Sequence, residues 1–448
     1  MTPRDTVRAI LSRPGDGLRS VLTNCTARGL ALIGVTVGTI VVARLGGPAQ
    51  VGIYALLRML PGLVGVLGVA GLPGALAYVL APARRGLPGL APTLAAIAVA
   101  GTLLGTVTWL VATPLVAPVF FPHYAQWLVA LAGLTVATQL LLTLGKTALQ
   151  GIADQRGGDA IIAAEEIGFL PCYLVALWSG AGGMLAVVIG LGAADVLVGL
   201  AAWRRVAHRL DRSLPDLAHA VIGRPDRQVA RGVVSYGVRG QVGGVITLLN
   251  LRLDFAILDA LVGPAALGAY AVASKYAELL RLPGTALTWV TYPRLAAHTA
   301  VTAARHARSL VRPTLLVVMA AAVPAALLAA PVIHLLYGGR FASAVLPAQV
   351  LIAGMLGSGA AGVASGYLYA SGRPGLNSVA TSAGLAVTTV LDIALIPTHH
   401  ALGAAVASTS AYLLTDVLLV ALLLRLTRRA PGPIGSSLAR TPTVGSTP

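Results

Sequence analysis

Charge is what this sequence has least of. Only 10% of its 448 residues are Asp, Glu, Lys or Arg, against about 25% in soluble globular domains. With 56% hydrophobic residues and a mean hydropathy of +0.83, a water-soluble fold is excluded. Lysine is nearly absent: Lys146 and Lys275 are the only two, so arginine carries almost all of the formal net charge of +17. In a soluble chain that balance would point to nucleic acid. Here the arginines sit in short connections between apolar runs, the positive-inside pattern, and no nucleic-acid partner is expected. The two cysteines, Cys25 and Cys172, lie inside apolar runs with no CxxC or Cys/His partner, so neither a disulfide nor a metal site is expected. There is no G-x-x-x-x-G-K-[ST] phosphate loop and no H-E-x-x-H, which excludes the usual ATPase and zinc-protease signatures. His399-His400 is an adjacent pair that cannot converge on one metal; it is read as solvent-facing. No small-residue cleavage site stands out after the first apolar run, so 21–43 is read as a retained span rather than a signal peptide.

What is there is a succession of apolar runs of ~20 residues, each long enough to cross a bilayer as a helix. Six are expected at about 21–43, 52–80, 90–112, 125–149, 159–179 and 182–203, and six more at about 233–258, 267–292, 313–336, 345–370, 376–397 and 402–424. The chain thus divides into an N-terminal segment (1–20), a first lobe (21–203), a basic linker (204–232), a second lobe (233–425) and a disordered tail (426–448). Alternate connections are basic: Arg84/Arg85, then Lys146/Arg156, then 204–232, then Arg294 to Arg312, Arg373, and Arg425 to Arg429. The other connections hold only Arg44 and Arg340. The asymmetry places both termini in the cytoplasm. The outer connections are short and poor in acids, leaving little room for an enzyme's site, so neither catalysis nor a cofactor is expected.

One nine-residue pattern occurs twice. Gly47-Pro48-Ala49-Gln50-Val51-Gly52-Ile53-Tyr54-Ala55 returns as Gly263-Pro264-Ala265-Ala266-Leu267-Gly268-Ala269-Tyr270-Ala271. Each copy follows one apolar run and opens the next, so the chain is two copies of one unit. Because each half has an even number of spans, the halves insert the same way up, as parallel repeats. Pro fixes a turn and Gly allows a tight backbone, so the motif is read as a structural elbow on the outer side.

Charged groups inside spans cost at least ~2.5–3.5 kcal/mol each at a helix centre. The cations there are Arg28, Arg58, Arg239, Arg252, Lys275 and Arg281; the acids are Glu165, Glu166, Asp195, Asp254, Asp259, Glu278, Asp392 and Asp416. Each has a bland reading. Arg28, Arg58 and Arg239 lie about two turns from a span end and can snorkel. Lys275, Glu278 and Arg281 share a face and can neutralise one another. Arg252 and Asp254 can form a structural pair near the outer surface. The distribution points elsewhere: Arg28, Arg58, Arg239, Lys275 and Arg281 fall in the first two spans of both halves, as a cationic cavity between lobes requires. Glu165, Glu166, Asp195, Glu278 and Asp416 are candidates for ion coupling.

The runs around Arg44-Leu45-Gly46-Gly47-Pro48 and Asn250-Leu251-Arg252-Leu253-Asp254, each followed by its motif copy, resemble bacterial oligosaccharide flippases of the Wzx-like type. These belong to the multidrug/oligosaccharidyl-lipid/polysaccharide exporter superfamily. The resemblance covers about 15–425. It implies an all-α, V-shaped protein of about twelve transmembrane helices in two six-helix lobes around a central cavity. It also implies a polyprenyl-pyrophosphate-linked glycan as cargo, carried between leaflets by alternating access. In the related lipid II flippase, arginines of helices 1, 2 and 8 line a cationic cavity. The resemblance carries that role to Arg28, Arg58 and Lys275 or Arg281. It further implies an inner-membrane location, contact with membrane lipids, and association with glycan polymerase and chain-length proteins. Two other readings compete: a cation-coupled drug exporter of the same fold, with an acidic cavity, and a non-transporting scaffold of an envelope-glycan assembly complex.

Overall fold

Apolar periodicity without strand-like alternation produces helices throughout. The computed structural model describes residues 14–69, 71–80, 89–210, 213–280, 300–371 and 373–428. Its helices are α1 (Pro14–Gly68), α2 (Leu72–Val79), α3 (Leu90–Phe120), α4 (Gln126–Leu131), α5 (Leu134–Gly151), α6 (Gln155–Trp178), α7 (Gly183–Arg209), α8 (Leu214–Ala220), α9 (Arg227–Val262), α10 (Pro264–Glu278), α11 (Ala300–Tyr337), α12 (Val345–Gly354), α13 (Ser358–Ala370) and α14 (Pro374–Arg428). A short 3-10 turn, Gly339–Ala344, precedes α12.

Two of these helices are double crossings. At 55 residues each, α1 and α14 are far longer than the ~20 residues a bilayer needs. The first breaks at Gly47 (φ 73°, ψ −168°) and the second at His400 (φ 52°, ψ −130°). Gly263, between α9 and α10, has φ 107° and ψ 173°, so both motif copies turn on a glycine in a region closed to other residues. Among the described residues, counting these breaks, α4 with α5 as one span, and the 46° bent pair Gly339–Gly354 and Ser358–Tyr369 as another, the long apolar helices make six crossings in the first half and four in the second; α9 and α10 complete the second lobe. Large apolar side chains such as Leu103, Val111, Leu115, Leu327 and Leu335 are exposed, as a lipid-facing surface requires.

Several expectations are corrected. Arg156 is not a loop charge but lies in the first turn of α6. Asp154 caps α6, its Oδ1 accepting from the Gly157 amide at 3.2 Å. The Arg205 and Arg209 guanidiniums grip the same carboxylate at 2.6 and 3.0 Å. Lys146 is not a loop charge: it lies within α5 and is half-buried against Glu165. Arg281, Arg84, Arg85, Arg294 and the tail beyond Arg428 lie outside the described residues.

Within the first lobe α6 packs between the first crossing of α1 and α7, and α5 packs on α7; in the second, α9 and α12 pack on α14 and α11 packs on α13. The lobes meet at two levels. At the end carrying Gly47 and Gly263, α1 packs on α10. At the opposite, arginine-rich end, α9 crosses to α2 and α3: Tyr78 stacks on Tyr236 with centroids 4.1 Å apart. There Gln241 Nε2 donates to the Val66 carbonyl at 2.6 Å, and Gly71 lies so close to the Gly237 carbonyl that a methyl group would overlap it.

Candidate functional site

The site is assembled from two helix spacings. On α1, Tyr54 and Arg58 are one turn apart (i, i+4) and share a face. On α6, Glu166 and Phe169 do the same at i, i+3. The two faces interlock: Tyr54 stacks on Phe169 with centroids 4.6 Å apart, and this sets Arg58 opposite Glu166. The Arg58 guanidinium then donates to both Glu166 oxygens at 2.7 Å and to the Tyr54 hydroxyl at 2.9 Å. Forked, charge-assisted pairs of this kind are short and directional. Arg58 and Glu166 remain 28% and 20% exposed, so the pair is open to a ligand rather than sealed in the core.

Around this pair the structure gathers further charge. Lys146 Nζ donates to Glu165 Oε2 at 2.7 Å. Buried Asp195 accepts from Thr138 Oγ1 at 3.1 Å and lies within Coulombic reach of Glu165, Lys146 and Arg58. From the second lobe, Lys275 approaches Arg58 and Glu166 within the same kind of range. Lys275 Nζ is 3.6 Å from Glu278 Oε2, and Arg252 Nη2 is 3.9 Å from Glu278 Oε1. Arg58 is eleven residues past Gly47, and Arg252 ten before Val262. At 1.5 Å per residue both lie ~15 Å from the motif end, near the mid-plane of a ~30 Å hydrocarbon core.

Both lysines of the chain, and all three of its glutamates, meet here. That scarcity was the signal in the sequence. A composition nearly free of Lys and Glu keeps five of them, and they converge on one place.

Other candidates fall elsewhere. Arg28 is exposed and donates to Asn24 Oδ1 at 3.0 Å, while Asn24 donates to Asp159 Oδ1 at 2.5 Å. Asp159 precedes Glu166 by seven residues on one face of α6, so Arg28 lies ~10 Å from Arg58 along that helix. Arg239 is exposed, thirteen residues and ~20 Å along α9 from Arg252. Asp416 packs against Gly357, where a methyl group would come within 2.6 Å of its Oδ2. Arg252 and Asp254 do not pair with each other and do not sit near the surface. Consecutive helical positions two apart point to different sides. Arg252 faces Glu278 and the Phe255 ring (5.0 Å). Asp254 is buried and accepts from Tyr270 Oη at 2.5 Å, Ser408 Oγ at 3.1 Å and the Phe255 amide at 2.9 Å.

The two motif copies are more than elbows. A methyl group on Gly52 would overlap the Pro264 carbonyl, and one on Gly268 would overlap the Pro48 carbonyl. Arg44 reaches across the same seam, its Nε donating to the Leu336 carbonyl at 2.9 Å and its Nη2 to that of Leu335. Arg340 lies beside Gly47.

Residues 41–346 match the family described as "Polysaccharide biosynthesis protein". The chain belongs to that family. No curated protein sequence matches it. Among solved structures it is similar to the lipid II flippase MurJ in an inward closed conformation, at 12% identity and a TM-score of 0.71, over 91% of this chain and 90% of that one. It is likewise similar to an inward-facing multidrug resistance MATE family transporter of the MOP superfamily: 14% identity, TM-score 0.68, 91% and 96% covered. A third is a MOP superfamily transporter from Pyrococcus furiosus Vc1 (DSM3638): 13% identity, TM-score 0.63, 92% and 95% covered. At these identities the likeness establishes the fold: an all-α membrane protein of two six-helix lobes. The chain is a multi-pass membrane protein of a polysaccharide biosynthesis family.

Proposed function

We propose that this protein flips a polyprenyl-pyrophosphate-linked oligosaccharide from the inner to the outer leaflet of the bacterial plasma membrane, for a cell-surface polysaccharide such as lipopolysaccharide or exopolysaccharide. The arginine-rich end is then cytoplasmic, with both termini on that side. The observation that carries the reading is the set of four cations, Arg58, Lys146, Arg252 and Lys275, drawn from both lobes to mid-depth. A pyrophosphate with two or three negative charges cannot enter hydrocarbon unaided. Buried guanidinium and ammonium groups replace its lost hydration with charge-assisted hydrogen bonds. An inside-negative potential favours moving that charge outward, by ~2.3 kcal/mol per charge per 100 mV. The prenyl tail stays in lipid throughout, and the chain performs no chemistry on its cargo. Glycan polymerase and chain-length proteins are the partners that this role calls for.

The test is reconstitution. Purified protein in liposomes should move a fluorescent polyprenyl-pyrophosphate sugar between leaflets, and cells lacking it should accumulate such a glycan on the inner leaflet. Liposomes with no transport above protein-free controls would remove the reading. The carboxylates Glu165, Glu166, Asp195 and Glu278 in the same cluster favour a second reading, a cation-coupled exporter. That one requires export of organic cations driven by a proton or sodium gradient.

A further inference from the structure

The cations of the central cluster differ in how they are held. Arg58 is locked: both of its terminal nitrogens engage Glu166 at 2.7 Å. Lys275 and Arg252 are not, since each approaches Glu278 at 3.6 and 3.9 Å, beyond ordinary hydrogen-bond length. A carboxylate offers a guanidinium two oxygens in nearly the arrangement in which a phosphate offers two of its own. Glu166 therefore occupies the fork that an arriving phosphate would need.

We infer that Glu166 is a built-in stand-in for the anionic headgroup and a specificity-determining residue of the site: cargo binds by displacing its carboxylate from Arg58. This rests on the headgroup reading above. With no cargo, Glu166 spares Arg58 the cost of an unpaired charge at mid-membrane. A singly charged ligand gains little by opening the clamp, because it exchanges one forked pair for another. A pyrophosphate gains more. Besides the Arg58 fork it can reach Lys275 and Arg252, whose contacts with Glu278 are loose. The released carboxylate is not stranded, because Lys146 and Lys275 lie within Coulombic range of it. The clamp thus selects for charge and for reach across both lobes.

The experiment is titration of the full-length, detergent-purified chain with inorganic pyrophosphate and inorganic phosphate by calorimetry. It is repeated in phosphatidylcholine nanodiscs with and without a polyprenyl pyrophosphate. Glu166→Gln keeps the shape and removes the charge. It should bind pyrophosphate about tenfold more tightly or better and lose part of the preference for pyrophosphate over phosphate. Glu166→Asp keeps the charge but is one methylene short of the fork, and should fall between the two. Where Glu166→Gln fails to fold by size exclusion, Glu166→Asp carries the test. Affinity no tighter than wild type in the folded variants would overturn the inference while leaving the headgroup reading intact, provided that wild type binds and Arg58→Ala does not. No binding of either pyrophosphate form by folded wild type and variants alike would overturn both. An effect of Glu166→Gln seen only in nanodiscs identifies the lipid headgroup as the ligand; one seen with free pyrophosphate shows that the anion suffices.

Discussion

Gly52 and Gly268, equivalent positions of the duplicated motif, each lie against the carbonyl of the proline in the other copy, Pro264 and Pro48. The contact is reciprocal, as a pseudo-two-fold relation between lobes demands. It brings two backbones to the separation at which Cα–H groups face carbonyl oxygens, and only glycine permits it. The lobes are held together at the motif end by this seam and by the Arg44 bonds to α11.

Gly268→Val should therefore part the lobes at that end without unfolding either one. Spin labels at exposed Leu45 and Leu335, in a background with Cys25 and Cys172 replaced by Ala, would report it by pulsed dipolar spectroscopy. The expected outcome is a shift of the distance distribution to longer values; an unchanged distribution would mean that the seam does not hold the lobes together.

Arg58→Ala should abolish flipping in liposomes while leaving membrane insertion intact. Arg58→Lys keeps a point charge but not the fork, so it should retain only a small fraction of the rate. Wild-type rates in both would remove Arg58 from the site.

Arg239→Ala should cost less than Arg58→Ala, because Arg239 is exposed and ~20 Å along α9 from Arg252. Arg28→Ala, two turns of α6 away from Glu166, should lie between them. Comparing the three initial rates orders the positions; a rank with Arg239 first would relocate the anion path.

Tyr270→Phe removes the hydroxyl that Asp254 accepts from at 2.5 Å. A hydrogen bond to a charged group contributes about 1.5–3 kcal/mol. Thermal unfolding in detergent should show a drop of that order, and an unchanged midpoint would mean that Ser408 and the Phe255 amide suffice for Asp254.

Asp154 gives a pH dependence. The Arg205 hydrogen bond, opposed by partial burial and reinforced by Arg209 and the Gly157 amide, holds its carboxyl well below the usual carboxylate range. A depressed folded pKa contributes stability that is present above the unfolded value of about 3.9 and is lost as pH falls toward the folded one. Asp154→Asn should lower the melting midpoint at neutral pH. The gap to wild type should narrow once the pH drops below about 4. A gap independent of pH would assign the effect to the cap geometry rather than to the charge.

Much of the fold was legible because its causes are local. Hydropathy sets where helices cross, and the repeated Gly-Pro elbow marks the duplication. Each is a property of a few consecutive residues. The site was legible only in part. Arg58, Lys275 and Glu278 were identifiable as costly intramembrane charges. Their partners were not identifiable. Arg58 meets Glu166 across 108 positions, and Arg252 pairs with Glu278 rather than with nearby Asp254. Lys146 turns inward to Glu165 instead of serving a loop. Periodicity says which residues share a face of one helix, but not which face of another helix stands opposite, at what depth or rotation. Packing decides that: the Tyr54–Phe169 stack sets Arg58 against Glu166, and two glycines let the lobes close on each other. The sequence by itself determined a two-lobed helical membrane protein with buried charge, and the tertiary structure decided which charges confront one another across the lobes.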